Sequence, residues 1–594
     1  ALVATAGSHP KLYPEAGGGG ATKAATGPVA PEGTEAVAAP MTGRVVSIEV
    51  AAGDVVRPGT IVAIIEAMKM EHTIAAGQTG IVRAVVAAVD DTVYGDQPIL
   101  FMEPGTVDAE AVEAVAAIDP DHIRPDLASI LELHDELTDA RRPDAVARRR
   151  KTGQRTAREN IDDLADPGSF MEYGALALAA QRGRHDFETL KKMSPADGLV
   201  AGVGQVNGAA FGPDRGRCML MSYDYTVLAG TQGFMNHKKM DRMFHLANDW
   251  RLPVVVFAEG GGGRPGDTDH IGVAGLDVPT FKLLAQMSGK APTVAVVSGR
   301  CFAGNAAIAG VCDVIIATRN TNLGMGGPAM IEGGGLGVYK PEEVGPVDVQ
   351  APNGVIDILV DDEEAAVAAT KQYLSYFQGP IADWDCADQR ALRNTIPENR
   401  LRAYDIRQVI DLMADAGSVL ELRPDYGIGI LSALIRIEGR PMGLLANNPR
   451  HLGGAIDGEA AEKAARFMEL CEAHGLAILT LCDTPGFMVG PDAEKTALVR
   501  RVSRMFVGAA NMTVPMFTIV LRKGYGLGAQ AMAGGNMHSP AFTVSWPTGE
   551  FGGMGLEGAV RLGYRRDLEA IADPAAREAK YQELVAALYQ RGKA

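Results

Sequence analysis

Cysteine and histidine are both scarce, at 6 and 11 in 594 residues. Cys218, Cys301, Cys312, Cys386, Cys471 and Cys482 are scattered with no CxxC pair, which excludes a cysteine-based metal site and points to a reducing compartment. His237, His270, His451 and His474 are isolated, and each reads as a surface or structural residue. No Ser/His/Asp or Cys/His signature surrounds them, so neither a side-chain nucleophile nor a metal centre is expected. No apolar run approaches the roughly 20 residues of a membrane helix, and no signal peptide is visible. Basic residues are in deficit, and the net charge of -17 argues against non-specific nucleic-acid binding.

What is present is an ordinary globular composition, 47% hydrophobic and 22% charged, on a chain long enough for three or four domains. There are 71 glycines, many in clusters after apolar runs, where loops approach a ligand closely. Residues 1–37, with the tetraglycine Gly17–Gly20, have the composition of a tether. The chain begins with Ala1 in an Ala/Gly/Pro run, and the expectation is a piece of a longer polypeptide.

Residues 38–104 contain a repeat. The pattern from Gly43 through Ala52-Gly53-Asp54-Val55-Val56 returns 37 residues later, from Gly80 through Val89-Asp90-Asp91-Thr92-Val93. Each copy reads as short β-branched strands between Gly/Asp turns. Two such halves predict a small flattened β-barrel, with Lys69 at the hairpin tip where they join. The hexapeptide Glu66-Ala67-Met68-Lys69-Met70-Glu71 is an unusual use of exposed surface. The plain alternative is two core-filling methionines beside a solvated lysine. Ala67-Met68-Lys69-Met70 matches the biotinylation motif of the biotin carboxyl carrier family, which this module resembles. The resemblance implies biotin covalently attached to Lys69, with the apolar methionines helping present it to the modifying ligase.

Residues 105–125 form a second, acidic connector, and 126–150 read as helical up to the basic run Arg148-Arg149-Arg150-Lys151. Thr156-Ala157-Arg158-Glu159 is a capping box opening the next helix. Lys151, Arg155 and Arg158 are candidates for phosphate contacts, with a solvated helix face as the other reading. A second repeat follows. The helix, apolar strand and glycine loop from Lys239 to Glu259-Gly260-Gly261-Gly262 recur 224 residues on, from Lys463 to Asp483-Thr484-Pro485-Gly486. The run Pro292–Val297 into Gly304 recurs at 223, as Pro515–Val520 into Leu527. Continuous apolar strands alternating with helices predict two homologous α/β halves, at 126–389 and 390–594. Both carry a glycine-rich turn between strand and helix, an arrangement that presents backbone N–H groups to a developing oxyanion.

The two halves resemble the N- and C-domains of biotin-dependent acyl-CoA carboxyltransferases. Ser194-Pro195-Ala196-Asp197-Gly198, Tyr223-Asp224-Tyr225-Thr226, Ala446-Asn447-Asn448-Pro449, Asp483-Thr484-Pro485-Gly486-Phe487, Arg522-Lys523-Gly524-Tyr525-Gly526 and Trp546-Pro547-Thr548 match in order. The family's Asp-Ser-Gly-Gly-Ala-Arg loop stands here as Glu259-Gly260-Gly261-Gly262-Gly263-Arg264. The resemblance implies an α/β chain: a β-barrel biotinyl domain, then two crotonase-like (ββα superhelix) domains. It implies that the amides of Gly261 and Gly262 hold the acyl-CoA enolate oxygen, and those of Leu527 and Gly528 the ureido oxygen of biotin. Tyr525 and Gly526 would border the biotin site, and Gln530 would line the acyl pocket. In such chemistry the cofactor is the base, so no side-chain base is needed.

The chain departs from the family in places. The usual Gly-Gly-Ala after the aromatic is Gly526-Leu527-Gly528, which keeps the backbone donors and reshapes the pocket. Gly324-Met325-Gly326-Gly327-Pro328 is richer in glycine, which reads either as room for a longer acyl chain or as a tight turn. The family's closing arginine segment is not evident after Arg566. No ATP-grasp loop is found, so ATP and Mg2+ belong to a biotin carboxylase domain upstream or on a partner subunit. The resemblance further implies a cytoplasmic homo-hexamer acting on acetyl-, propionyl- or longer acyl-CoA. A biotin-dependent decarboxylase or transcarboxylase component, and a non-enzymatic biotinyl carrier fused to a crotonase-like binding module, are the alternatives.

Overall fold

The computed structural model describes residues 28–105, 119–269 and 276–593. The tetraglycine, most of the second connector and His270 lie outside the described residues. The chain divides into two units, Ala1–His122 and Ile123–Ala594.

In the first unit, two four-stranded sheets face one another. Gly43–Ile48, Val55–Val56 and Ile61–Ala67 recur 37 residues later as Gly80–Val85, Thr92–Val93 and Pro98–Pro104. The core recurs with them. Val45 and Val82, Val56 and Val93, Val62 and Ile99, and Ile65 and Met102 are all buried. Gly43 and Gly80 answer one steric demand: a Cβ would stand 2.8 Å from Glu66 O in one copy and 2.5 Å from Glu103 O in the other.

In the second unit, each half has the same sheet order. Two antiparallel steps lead into a parallel stack. In the first half Met171–Glu172, Leu199–Gln205 and Arg217–Tyr223 precede parallel Val254–Phe257, Thr293–Val297, Val314–Thr318 and Ile358–Val360. In the second half Leu420–Leu422, Ile430–Ile437 and Arg440–Asn447 precede parallel Ile478–Thr484, Met516–Tyr525 and Phe542–Ser545. Helix Phe234–Trp250 corresponds to Gly458–His474, 17 residues in each case. One hydrophobic core runs through both halves, from Leu220, Val255 and Val294 to Leu434, Leu445 and Phe467. Helix Glu363–Gln378 packs on strands of both.

The duplication extends to a buried lysine in each long helix. Lys239 Nζ donates to Leu199 O, and Lys463 Nζ donates 2.7 Å to Arg423 O, the position 224 residues on. Burial pushes both amines down to about 8. Each lysine donates to a main-chain carbonyl inside the fold, which gives the buried amine a partner in place of water.

Candidate active site

The carrier's tip comes first. Strand Ile61–Ala67 pairs with Met70–Ala75, closing on Ala67 opposite Met70. That leaves Met68 and Lys69 as a two-residue turn with φ of 52° and 63°. This is the primed turn that matches strand twist, normally built from Asn and Gly. Here two side chains with a Cβ accept the left-handed backbone, a conformation that costs of order 1–2 kcal/mol per residue. Met68 is 98% exposed and Met70 67%, so neither fills a core. An exposed primary amine on a projecting, locally strained turn fits covalent attachment of a carboxylic acid cofactor.

In the second unit the glycine loops are held alike. Gln232 N donates to Gly262 O at 2.7 Å and Arg264 N to Gln232 O at 2.8 Å. At the equivalent places Ile456 N donates to Gly486 O at 3.0 Å and Met488 N to Ile456 O at 2.8 Å. Gly230 and Gly454 back the loops, both at positive φ; a Cβ would meet Glu259 O at 2.4 Å and Asp483 O at 2.3 Å.

The acid before each loop is buried and clamped by an arginine. Asp483 receives Arg522 Nη2 at 3.0 Å and the Lys523 amide at 3.1 Å. Asn447, from the Ala-Asn-Asn-Pro motif, accepts the Asp483 amide at 3.1 Å. In the first half Gly299 occupies the place of Arg522, and a Cβ there would stand 2.6 Å from both Glu259 Oε1 and Gln154 Nε2. The arginine comes instead from helix Pro143–Lys151: Arg149 Nη1 lies 2.9 Å from Glu259 Oε2, and its Nη2 lies 3.5 Å from Glu363. A member of the basic run is therefore buried structure. Arg155 and Arg158 are likewise held in ion pairs, with Asp163 at 2.6 Å and Glu172 at 2.9 Å. Of the three phosphate candidates, Arg155 and Arg158 are thus engaged in ion pairs and Lys151 is exposed.

Burial pushes the Glu259 carboxyl up to about 7, against Arg149 and Gln154, which draw it down. A carboxyl whose pKa is raised by folding contributes stability below its ordinary value, and that contribution is lost as pH rises through about 7. The melting temperature of wild type, measured against Glu259→Gln, should fall between about pH 5 and about pH 8, and the substitution should remove that part of the slope. Parallel curves for the two proteins would contradict the assignment.

The donors themselves differ between halves. Gly261 is exposed, and its amide has no hydrogen-bond partner among the described residues. Gly262 N donates 3.1 Å to Asn305 Oδ1, so this amide is engaged. Asn305 is fully buried near the start of helix Gly304–Val311. The corresponding residue in the second half is Gly528, where the side chain is absent and the backbones close up: a Cβ would stand 2.7 Å from Gly486 C. Leu527 and Gly528 lie in the first turn of helix Gly526–Met532, whose amides have no intrahelical acceptor. Gly526 enters it at φ 58°. Leu527 is 61% exposed and shares an exposed face with Gln530, while Tyr525 is buried beneath.

Gly324 and Gly327 pack against Val344 and the Phe302 ring, as a tight turn requires. Met325 and Met330 nevertheless stand 71% and 62% exposed beside them. The histidines are structural where described: His237 meets Thr280 at 2.8 Å, His451 meets Asp457 at 3.1 Å and His474 meets Asp313 at 3.0 Å. Asn305, Gln232 and Arg149 escaped the sequence reading. Only the pairing of Gly299 with Arg522 in the repeat could have signalled that a clamp was missing.

Comparison with known proteins gives the following. Residues 148–591 match the carboxyl transferase domain family and residues 35–102 the biotin-requiring enzyme family. The chain is 30% identical over 471 residues to the propionyl-CoA carboxylase beta chain of Saccharopolyspora erythraea, covering 75% of this chain and 83% of that one. It is 31% identical over 470 residues to the biotin-dependent long chain acyl-coenzyme A carboxylase beta4 subunit of Mycobacterium tuberculosis, covering 76% and 85%. A solved single-chain, multi-domain long-chain acyl-CoA carboxylase is 56% identical, with a TM-score of 0.76 over 95% of this chain and 54% of its own length. The transcarboxylase 12S hexamer, solved with methylmalonyl-coenzyme A, is 29% identical, with a TM-score of 0.67 over 78% and 88%.

Proposed function

The chain belongs to the carboxyl transferase domain family and carries a biotin-requiring domain ahead of it, and on that premise we propose that it carboxylates a long-chain acyl-CoA at the α-carbon. Lys69 would hold biotin covalently, and once carboxylated the cofactor would supply the carboxyl group and the acceptor for the α-proton. The chain's own task is to hold two oxygens that become negative. The Gly261 amide, unpartnered on the exposed first loop, is the donor to the thioester oxygen, with Gly262 fixing the loop through Asn305. The Leu527 and Gly528 amides serve the second oxygen, with Tyr525 and Gly526 forming the turn behind them. Preorganised amides of this kind are worth about 10²–10³ each in turnover.

The observation that carries the reading is the duplicated loop clamp, with one exposed, unpartnered amide in the first half and a helix start in the second. The long acyl chain is supported by the 56% identity to a long-chain carboxylase and by exposed Met325 and Met330. Gln530, on the face of Leu527, is the candidate for reading the acyl group. Loading of Lys69 is assigned to a biotin carboxylase domain or subunit using ATP and Mg2+. The assembly is proposed to be a cytoplasmic homo-hexamer, by likeness to the 12S hexamer. Among the described residues no helix is long and apolar enough to cross a membrane.

Biotinylated full chain, supplied with a biotin carboxylase, ATP and bicarbonate, should carboxylate acyl-CoAs of about sixteen carbons at least tenfold better in kcat/KM than acetyl-CoA. A flat profile would reject the long-chain assignment. ATP-independent CO2 release from a malonyl-type CoA, without net carboxylation, would instead favour the transcarboxylase reading that the 12S likeness also supports.

A further inference from the structure

Nine buried side-chain polar atoms lack a hydrogen bond among the described residues, and five of them belong to Tyr404, Asn447, Tyr525 and Glu550. Buried polar groups are normally satisfied, so such a concentration calls for a cause. Tyr525 ends strand Met516–Tyr525, Glu550 pairs opposite Lys523 of it, Tyr404 stacks on Arg522 of it, and Asn447 is joined to it through Asp483. Asn447 accepts from Asp483, and Tyr404 lies under the Arg522 guanidinium at 5.0 Å. Glu550 is 1% exposed, with both carboxylate oxygens sealed. It starts the short strand Glu550–Gly552, which runs parallel to the end of Met516–Tyr525 and pairs Glu550 with Lys523 and Gly552 with Tyr525.

The groups facing Glu550 come from three sides. Arg400 Nη1 lies 3.6 Å from Oε2, and the same guanidinium reaches Glu557 and stacks over Tyr589 at 5.5 Å. The Tyr525 hydroxyl, itself sealed, lies near the carboxylate and draws its pKa down, while burial pushes it up more strongly. Lys593, past the C-terminal helix Pro574–Gly592, bridges to the Glu550 backbone. A buried acid whose oxygens make no hydrogen bond is costly unless the fold uses it, even with Arg400 and Arg522 drawing its pKa down. Tyr525 is the residue immediately before Gly526, whose left-handed turn aims the Leu527 and Gly528 amides, and Gly526 itself lies against Gly553 O, where a Cβ would stand 3.0 Å away.

We propose that Glu550 is a positioning residue for the second amide pair, acting through Tyr525: carboxyl and phenol, sealed together and braced by Arg400, hold the turn at Gly526 in register with the Gly486 loop. This rests on the reading of Leu527 and Gly528 given above. It assigns to the Glu550 strand and the C-terminal helix a role in the biotin half of the reaction and none in acyl-CoA binding.

The test uses the full chain with Lys69→Arg as the parent, free biocytin as carboxyl acceptor and a malonyl-type CoA as donor. Glu550→Leu should raise the KM for biocytin about tenfold, leave the KM for the CoA substrate within about twofold, and speed amide hydrogen exchange in residues 526–532. Tyr525→Phe, a gentler change, should move the same readings in the same direction by about threefold, and Glu550→Gln should stay near the parent. Unchanged exchange and biocytin KM in both Glu550→Leu and Tyr525→Phe would overturn the proposal, as would equal losses for both substrates. A parent that transfers nothing to biocytin would instead reject the carboxyltransferase reading, and the exchange measurement would still decide whether Glu550 holds the turn.

Discussion

Lys69→Arg should leave the full chain without biotin and without carboxyl transfer from its own carrier, while its melting temperature stays unchanged. The guanidinium cannot be acylated under the conditions that acylate a primary amine, so charge is kept and chemistry is lost. Lys69 makes no core contact, since it is exposed at the hairpin tip. Intact mass and an avidin blot read the attachment directly, and added biocytin should restore transfer at the second unit. Persistent biotin on the variant would place the attachment elsewhere. Met68→Ala gives the informative contrast. With Met68 98% exposed, its removal should change stability by less than about 0.5 kcal/mol, yet slow attachment by the ligase.

The second large effect is expected at Gly528. A Cβ there would stand 2.7 Å from Gly486 C and 3.0 Å from Phe487 N, and both are backbone atoms that cannot swing aside. Gly528→Val must push the start of helix Gly526–Met532 off the Gly486 loop, which misdirects two amides at once. Turnover should fall by about 10²–10³, the cost of losing a preorganised donor, with attachment of biotin to Lys69 unaffected. Leu527→Gly alters the neighbouring side chain and keeps its amide. It should cost less than about tenfold, because a backbone donor does not depend on what the Cα carries. If Gly528→Val retained full turnover, the second amide pair would not be the oxyanion site.

These two positions were legible to different degrees. Lys69 was read from a four-residue motif at the seam of a 37-residue repeat, and the structure places it on a turn whose strain no composition rule reports. Gly528 is legible only through likeness to the family, and its steric reason lies in the Gly486 loop, 42 residues earlier in the chain. Gly262 shows how far such reading reaches. The sequence marks it as part of a glycine loop, while its amide is occupied by Asn305, 43 residues away. Arg149 is the opposite case: it looks like one of four surface charges and is the buried partner of Glu259, 110 residues on.

By itself the sequence determined the β-barrel carrier and the two α/β halves. Those follow from strand and helix periods, from Gly/Asp turn chemistry and from repeats, all of which act between near neighbours or recur at constant spacing. Only the tertiary structure decided which loop amides stay free, which arginine clamps which acid, and that Glu550 and Tyr525 are sealed together. Hydrogen-bond satisfaction and burial depend on residues brought together from distant parts of the chain, and no local period encodes who those partners are.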